Sequence, residues 1–334
     1  MSYRKEEKQI QWKLRRIRAI VLAVVFFIVI AIGIFSAFVP PNTWKYYFDN
    51  PSVPMGAEGE LRMHFIDVGQ GDCTLIELPD DKKMLIDGGN GAEANNTKII
   101  RYLNALQIDR LDYVVLTHSD SDHCGGLPTV IDNKEIGAVY YPLEDNAAIN
   151  SSYASFFQKI AEGTFEKKIN RRGLTITSSD DRYPYQITWL WPYGADNPGA
   201  TPLTGNDKSA IVWLSYGDNQ ALFMGDASSA IEEKLILHDT MGFLSPFGVD
   251  ISSIELLKVA HHGSADGTSP AFLTHTQTKN AIISCGKNNV YEHPSAQTMT
   301  NLSNAQISVY RTDEDGNVLV SWQPTGSQSV IKGY

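Results

Sequence analysis

Two imidazoles and two carboxylates fall within six residues of the string Thr117-His118-Ser119-Asp120-Ser121-Asp122-His123-Cys124-Gly125-Gly126. These are the donor types that hold a hard or borderline divalent cation. Neighbouring carboxylates repel one another unless a cation or solvent neutralises them, so the crowding asks for a reason. A lone Asp-rich stretch would read as a solvated turn. Here the apolar run Leu111–Leu116 comes directly before it. The groups therefore emerge at the end of a buried strand, and a metal site is the better reading.

The elements that must position this string are short apolar runs divided by polar turns. Leu61–Val68, Thr74–Glu77, Lys83–Ile86, Leu111–Leu116, Ile136–Tyr140, Ile187–Trp191, Ala210–Ser215, Ala221–Met224 and Ile254–Val259 read as strands. Helical spacing marks Asn96–Leu106 and Ser155–Ala161, and helices are also expected at Ala230–Leu237 and Ser295–Leu302. Strand clusters divided by helices predict sheets with helical cover in one domain, residues 61–334.

Ala19 to Val39 carries no charge and is long enough to cross a bilayer core, which takes about 20 residues. Residues 1–18 hold seven basic side chains against Glu6 and Glu7. The positive-inside rule keeps that end in the cytoplasm and places the body outside. A cleaved signal peptide would place the body on the same side, but the run exceeds a usual h-region, so an uncleaved signal-anchor is expected. The expected order is thus a basic tail over 1–18, a transmembrane segment over 19–39, a linker over 40–60 and the catalytic body.

The net charge is -10, and beyond residue 18 there are 21 basic against 36 acidic groups, or -15. Such a body is a poor footprint for long nucleic acid, whose phosphates are tracked by basic grooves. Cys73, Cys124 and Cys285 show no CxxC spacing and read as small buried thiols.

The motif string resembles the metallo-β-lactamase superfamily, whose signature is HxHxDH; here Asp120 replaces the second His. The variant is similar to the nuclease-type domain of ComEC-type competence proteins. Further strings carry the resemblance in the same order: Phe65-Ile66-Asp67-Val68-Gly69-Gln70-Gly71-Asp72, Leu85-Ile86-Asp87-Gly88-Gly89, Phe223-Met224-Gly225-Asp226 and Leu257-Lys258-Val259-Ala260-His261-His262-Gly263-Ser264. Gly286 to Pro294 and Val309-Tyr310-Arg311-Thr312-Asp313 complete the series.

The resemblance implies an α/β fold, a four-layer αββα metallo-β-lactamase sandwich preceded by a single transmembrane helix. It implies two divalent metal ions, Zn²⁺ or Mn²⁺. One metal would take His118 and Asp120, the second Asp122, His123 and His262, with Asp226 bridging. His261 would be a substrate contact or proton donor, and His293 would approach the leaving group. Asp87 would orient the metal loop by hydrogen bonding. Where typical members place another His for the first metal, this chain has Gly205-Asn206-Asp207-Lys208-Ser209. Asn206, Lys208 and Ser209 could bind a phosphate oxygen or form a plain loop. Lys287 and Tyr291 could help to hold substrate. Asp67 and Asp72 could line the pocket or cap a turn. His64, His238 and His275 read as structural or surface histidines.

Two close cations can lower the pKa of a bridging water and clamp attacking and leaving oxygens. The implied function is an extracytoplasmic phosphodiesterase or nuclease acting on DNA through a metal-activated hydroxide, with Lys208 or Lys287 absorbing charge. The chain shows none of the multi-helix channel of ComEC-type proteins, so DNA import by itself is not expected. The rivals are a cell-surface phosphodiesterase acting on small head groups such as phosphorylcholine, and a non-catalytic metal-binding module. With Asp120 in place of a histidine, β-lactam or lactone hydrolysis is disfavoured.

Overall fold

The structure is a computed structural model that describes residues 2–38, 44, 46, 51–142, 150–193, 203 and 205–333. The chain divides into two units, Met1–Asp49 and Asn50–Tyr334. In the first, α1 runs unbroken over Ser2–Phe38. Its Lys8–Ser36 portion is long and apolar enough to cross a membrane. The linker expected over 40–60 lies partly outside the described residues, and 51–57 carry no regular structure.

The second unit holds two mixed sheets. One draws β1 (Leu61–Phe65), β2 (Thr74–Glu77), β3 (Lys83–Ile86), β4 (Arg110–Val115), β5 (Glu135–Tyr141) and β6 (Glu166–Ile169) from one stretch of chain. The other draws β7 (Thr175–Thr177), β8 (Tyr185–Trp191), β9 (Ile211–Tyr216), β10 (Asn219–Phe223), β11 (Leu256–Lys258), β12 (Asn280–Ile283) and β13 (Ser308–Arg311) from the next. The chain then returns to the first sheet with β14 (Val318–Trp322) and β15 (Gln328–Lys332). The orders are β15-β14-β1-β2-β3-β4-β5-β6 and β13-β12-β11-β10-β9-β8-β7.

Helices α2 (Glu93–Ala105), α4 (Leu127–Asn133) and α5 (Ser151–Glu162) lie together on the first sheet's side, with the one-turn α3 (Ser121–Cys124) against α5. On the second sheet's side, α6 (Ser229–Thr240) packs on α7 (Pro270–Thr276), and α7 on α8 (Ala296–Asn304). The last helix, α9 (Thr312–Asp315), is a single turn after β13. Between the sheets Met63, Phe65, Val115, Trp189, Val212, Phe223 and Trp322 form one buried cluster. Ile231, Leu235, Phe272 and Leu302 join the outer face of the second sheet in another. Each such side chain contributes roughly 1.5–3 kcal/mol on burial, so these layers, rather than local propensity, hold the sheets face to face. The αββα order expected from the sequence is the one found.

The expected strands and helices are present with ends shifted by a few residues. Not anticipated were β6, β7, β12 to β15, α3, α4, α7 and α9, among them the apolar and fully buried β14. Parallel pairing sets the site. Ile86 of β3 lies opposite Val115 of β4, and Phe223 of β10 opposite Lys258 of β11, so these strands end at one edge. There the Ala210 N–H donates to the Thr117 carbonyl at 3.0 Å, tying the two sheets together.

Candidate metal centre

After β4 the chain must turn sharply, and Asp87, at the end of β3, holds that turn. One of its oxygens accepts from the Thr117 N–H at 2.8 Å, and the other from the Thr117 hydroxyl and from His123 Nδ1, both at 2.8 Å. The family resemblance implied an orienting role for Asp87; here its carboxylate holds Thr117 and the His123 ring. Gly126 follows because nothing larger fits: a Cβ there would lie 2.1 Å from the Gly88 carbonyl oxygen. Asp120 sits at the N-cap of α3 without capping it. Its carboxylate lies 3.7 Å from His118 Nε2.

Asp226 is the centre of the cluster. Its backbone N–H donates to the buried Ser209 hydroxyl at 3.0 Å, across a left-handed Gly225. Its Oδ1 lies 3.2 Å from His123 Nε2. Its Oδ2 lies 3.6 Å from His262 Nε2, 3.7 Å from His118 Nε2 and 3.8 Å from His261 Nε2. Asp122 approaches His262 Nε2 at 3.3 Å. The structure therefore gathers His118, Asp120, Asp122, His123, Asp226 and His262 from three separated stretches of chain.

Whether these side chains fit a cation is answered by the atoms left over. The ring nitrogens that face away are engaged: His118 Nδ1 with the Thr117 hydroxyl at 3.0 Å, His123 Nδ1 with Asp87, and His262 Nδ1 with the Ser284 carbonyl at 2.9 Å. The atoms that face inward, His118 Nε2, His123 Nε2, His262 Nε2 and Asp226 Oδ1, are buried with no hydrogen-bond partner among the described residues. Orphaned buried polar atoms are costly, and a divalent cation satisfies all of them. The donor set fits.

The electrostatics agree. Burial pushes the Asp226 carboxyl up, but His123 and His262 outweigh it and hold it well below the usual carboxylate range. Burial lowers His262, yet Asp226 and Asp72 overcome that and raise it to about 10. The pocket demands positive charge at its centre.

Asp72, His123, Asp226 and His262 offer ligand atoms within 4.8 Å of one another. Asp72 nonetheless lies on the far side of the His262 ring, 3.3 Å from Nδ1, whereas Nε2 faces Asp226 and Asp122. It backs that ring and is itself held by buried Lys258. Asp67, left open beside it, caps a turn by accepting the Gly69 N–H and pairs with Lys98.

Around the rim, Asn206 and Lys208 lie on a short 3-10 turn, Gly205–Lys208, with the Asn206 amide 3.3 Å from the His261 ring nitrogens. His293 stacks 6.4 Å from His262, with its Nδ1 buried and unpartnered among the described residues. Tyr291 is exposed and stacks on His293 at 5.8 Å. Lys287 is exposed. Away from the site, His64 bridges Tyr102 and Glu77, His275 meets Asp239, and His238 meets Tyr193. All three cysteines are buried thiols; burial pushes Cys124 up to about 12.

Sequence reasoning did not single out Lys258, Asp266 and Ser284. A lysine inside the apolar run Leu256-Leu257-Lys258-Val259 was the one signal that could have been read, because a buried charge needs a partner.

Two mixed sheets under helical layers, with a His and Asp cluster at one sheet edge, define the class. Residues 66–287 match the metallo-beta-lactamase superfamily, and the chain belongs to it. It is 26% identical over 296 residues to ComE operon protein 3 of Bacillus subtilis, covering 84% of this chain and 35% of that protein. It is 28% identical over 264 residues to Competence protein ComA of Neisseria gonorrhoeae, covering 78% of this chain and 32% of that protein. The chain thus spans about a third of the length of the curated relatives it matches. Among solved structures, CmlA beta-hydroxylase aligns with a TM-score of 0.48 at 12% identity, covering 78% of this chain and 53% of that one.

Proposed function

We propose that the chain is an extracytoplasmic, metal-dependent phosphodiesterase that cleaves DNA. The observation that carries this reading is the convergence of three orphaned Nε2 atoms, from His118, His123 and His262, on the Asp226 carboxylate. In this assignment His118 and Asp120 would hold one cation and Asp122, His123 and His262 a second, with Asp226 available to both. The carboxylate share makes the pocket harder than a His-rich zinc site, so Mn²⁺ competes with Zn²⁺.

A pair of such cations lowers the pKa of water and withdraws charge from phosphoryl oxygens. The chain's own residues supply position and protons. Asp87 fixes the His123 ring, and Ser209 fixes the backbone of Asp226. In this reading Lys208 and Lys287 bring positive charge for an anionic substrate. His293 is the imidazole left to exchange a proton with the leaving oxygen. Burial and the neighbouring His261 and His262 push its pKa down. An anionic phosphate docked beside it raises that pKa again, at the moment a proton is needed.

Support for DNA comes from the likeness to Competence protein ComA and to Recombination protein 2 of Haemophilus influenzae, the latter 28% identical over 260 residues. Support for an outside location comes from the basic flank before the apolar run of α1. The -15 body favours a second substrate, small phosphodiester head groups, because long polyanions approach it less readily. The test is hydrolysis of linear DNA, RNA and bis-p-nitrophenyl phosphate by the purified chain with Mn²⁺ or Zn²⁺. Metal-dependent DNA cleavage that is lost in Asp122→Ala supports the first reading. Cleavage of the small ester alone moves the assignment to the second, and hydrolysis that survives both chelation and Asp122→Ala ends the proposal.

A further inference from the structure

His118 and Asp120 make a thin set for a first metal, even with Asp226 shared. We infer that His261 completes it as a metal ligand, so that two consecutive histidines, both facing Asp226 Oδ2, serve the two metals. The inference rests on the metal-centre reading above.

His261 Nε2 lies 3.8 Å from Asp226 Oδ2, matching the 3.7 Å of His118 Nε2 and the 3.6 Å of His262 Nε2. Donor atoms about 2.0–2.1 Å from a shared tetrahedral ion stand roughly 3.3 Å apart, so little movement brings His261 Nε2 and Asp226 Oδ2 onto one ion. The opposite nitrogen is engaged: His261 Nδ1 lies 3.1 Å from Asp266 Oδ1 and 3.2 Å from Oδ2. A carboxylate behind the ring places the Nε2 lone pair toward the site, as a ligating histidine requires. His118, His123 and His262 each show the same division, Nδ1 held from behind and Nε2 turned to Asp226.

The backbone makes this possible at a cost. In an extended chain successive side chains point to opposite faces. His261 (φ 47°, ψ 48°) and His262 (φ 53°, ψ 21°) are both left-handed, and both rings reach the same carboxylate. Each such residue costs roughly 1–2 kcal/mol relative to ordinary helical geometry, and a pair persists only where the surroundings impose it. Here the His261 N–H donates to the Gly225 carbonyl at 3.0 Å, one residue before Asp226. The Asn206 amide nitrogen lies 3.3 Å from both ring nitrogens of His261; a cation at Nε2 takes the place of that contact, while Asp266 continues to hold Nδ1.

The experiment uses the full chain in detergent, stripped and then dialysed against Mn²⁺, Zn²⁺ or Co²⁺, with bound metal measured by mass spectrometry. The wild type is expected to hold two ions. His261→Ala should hold one, with affinity for the other down by about 100-fold or more, and Asp266→Asn should weaken the same ion about 10-fold. His261→Cys with Co²⁺ should show a thiolate-to-metal charge-transfer band, which arises only if residue 261 ligates. Two ions bound with unchanged affinity in His261→Ala, and no such band in His261→Cys, would overturn the inference and leave His261 a proton donor. A misfolded His261→Ala leaves the band in His261→Cys to decide. No metal in the wild type would instead sink the metal-centre reading itself.

Discussion

Lys258 Nζ lies 2.8 Å from Asp72 Oδ2, an ion pair sealed under the metal centre with both side chains at least 94% buried. The other Asp72 oxygen faces His262 Nδ1 at 3.3 Å. Removing one partner leaves a buried charge without compensation, which costs about 3–5 kcal/mol. Lys258→Met is therefore expected to lower the stability of the Asn50–Tyr334 unit by about that amount in urea unfolding. Asp72→Asn with Lys258→Met together should recover much of it, and a double variant no better than the single would show that packing, not charge, is at stake.

Ser209 and Asp226 should separate by metal affinity. Asp226→Ala removes the carboxylate on which the imidazoles converge, and is expected to abolish tight binding of either ion in calorimetry. Ser209→Ala removes a single hydrogen bond to the Asp226 backbone and should cost about 10–100-fold, the range typical of a ligand's supporting partner. Equal losses would contradict the arrangement.

Gly71 has φ 129°, and a Cβ there would lie 2.2 Å from the Asp122 carbonyl oxygen. The neighbouring Asp72 N–H donates to that same oxygen at 3.1 Å. Gly71→Ala should therefore destabilise by about 1–3 kcal/mol and shift Asp122. Thermal unfolding and metal titration of one preparation would report both effects, and a variant unchanged in both would refute the close approach.

His64 gives the fold an acid sensitivity remote from the site. Burial is the main cause that lowers its pKa, with Arg62 and Lys83 adding to the effect against the pull of Glu77. The folded protein therefore keeps His64 neutral where an unfolded chain protonates it. Its contribution is fully present above about pH 6.5 and is lost progressively as pH falls below that value. Urea midpoints measured from pH 7.5 to 5.5 should fall, and less steeply in His64→Gln. An identical slope in the variant would assign the acid limb elsewhere.

Ionic strength should separate the two substrate readings. Cleavage of long DNA that depends on phosphate contacts weakens steeply as salt rises, whereas hydrolysis of a small ester changes little. KM for DNA is expected to rise at least about 10-fold between 50 and 200 mM salt. A flat response would favour small head groups.

Much of the candidate site was legible because its His and Asp side chains lie at the ends of apolar runs. His118 to His123 follow β4, Asp226 follows β10 and Asp87 follows β3, and a strand end is visible wherever a hydrophobic run stops at polar residues. The apolar helix at the N-terminus was equally plain, since length and lack of charge are properties of sequence alone. The place of β14 was not, because it pairs with β1 across some 250 residues of chain. Local composition carries no record of such pairing.

The chain by itself determined which donor types are available, and that they stand where buried strands end. Only the tertiary structure decided how those donors divide. It put Asp72 behind His262 rather than in a turn cap, gave the interior Lys258 its partner, and turned both His261 and His262 toward one carboxylate. Each depends on a backbone angle or a contact between remote segments, and those are set by the packing of two sheets rather than by the residues on either side.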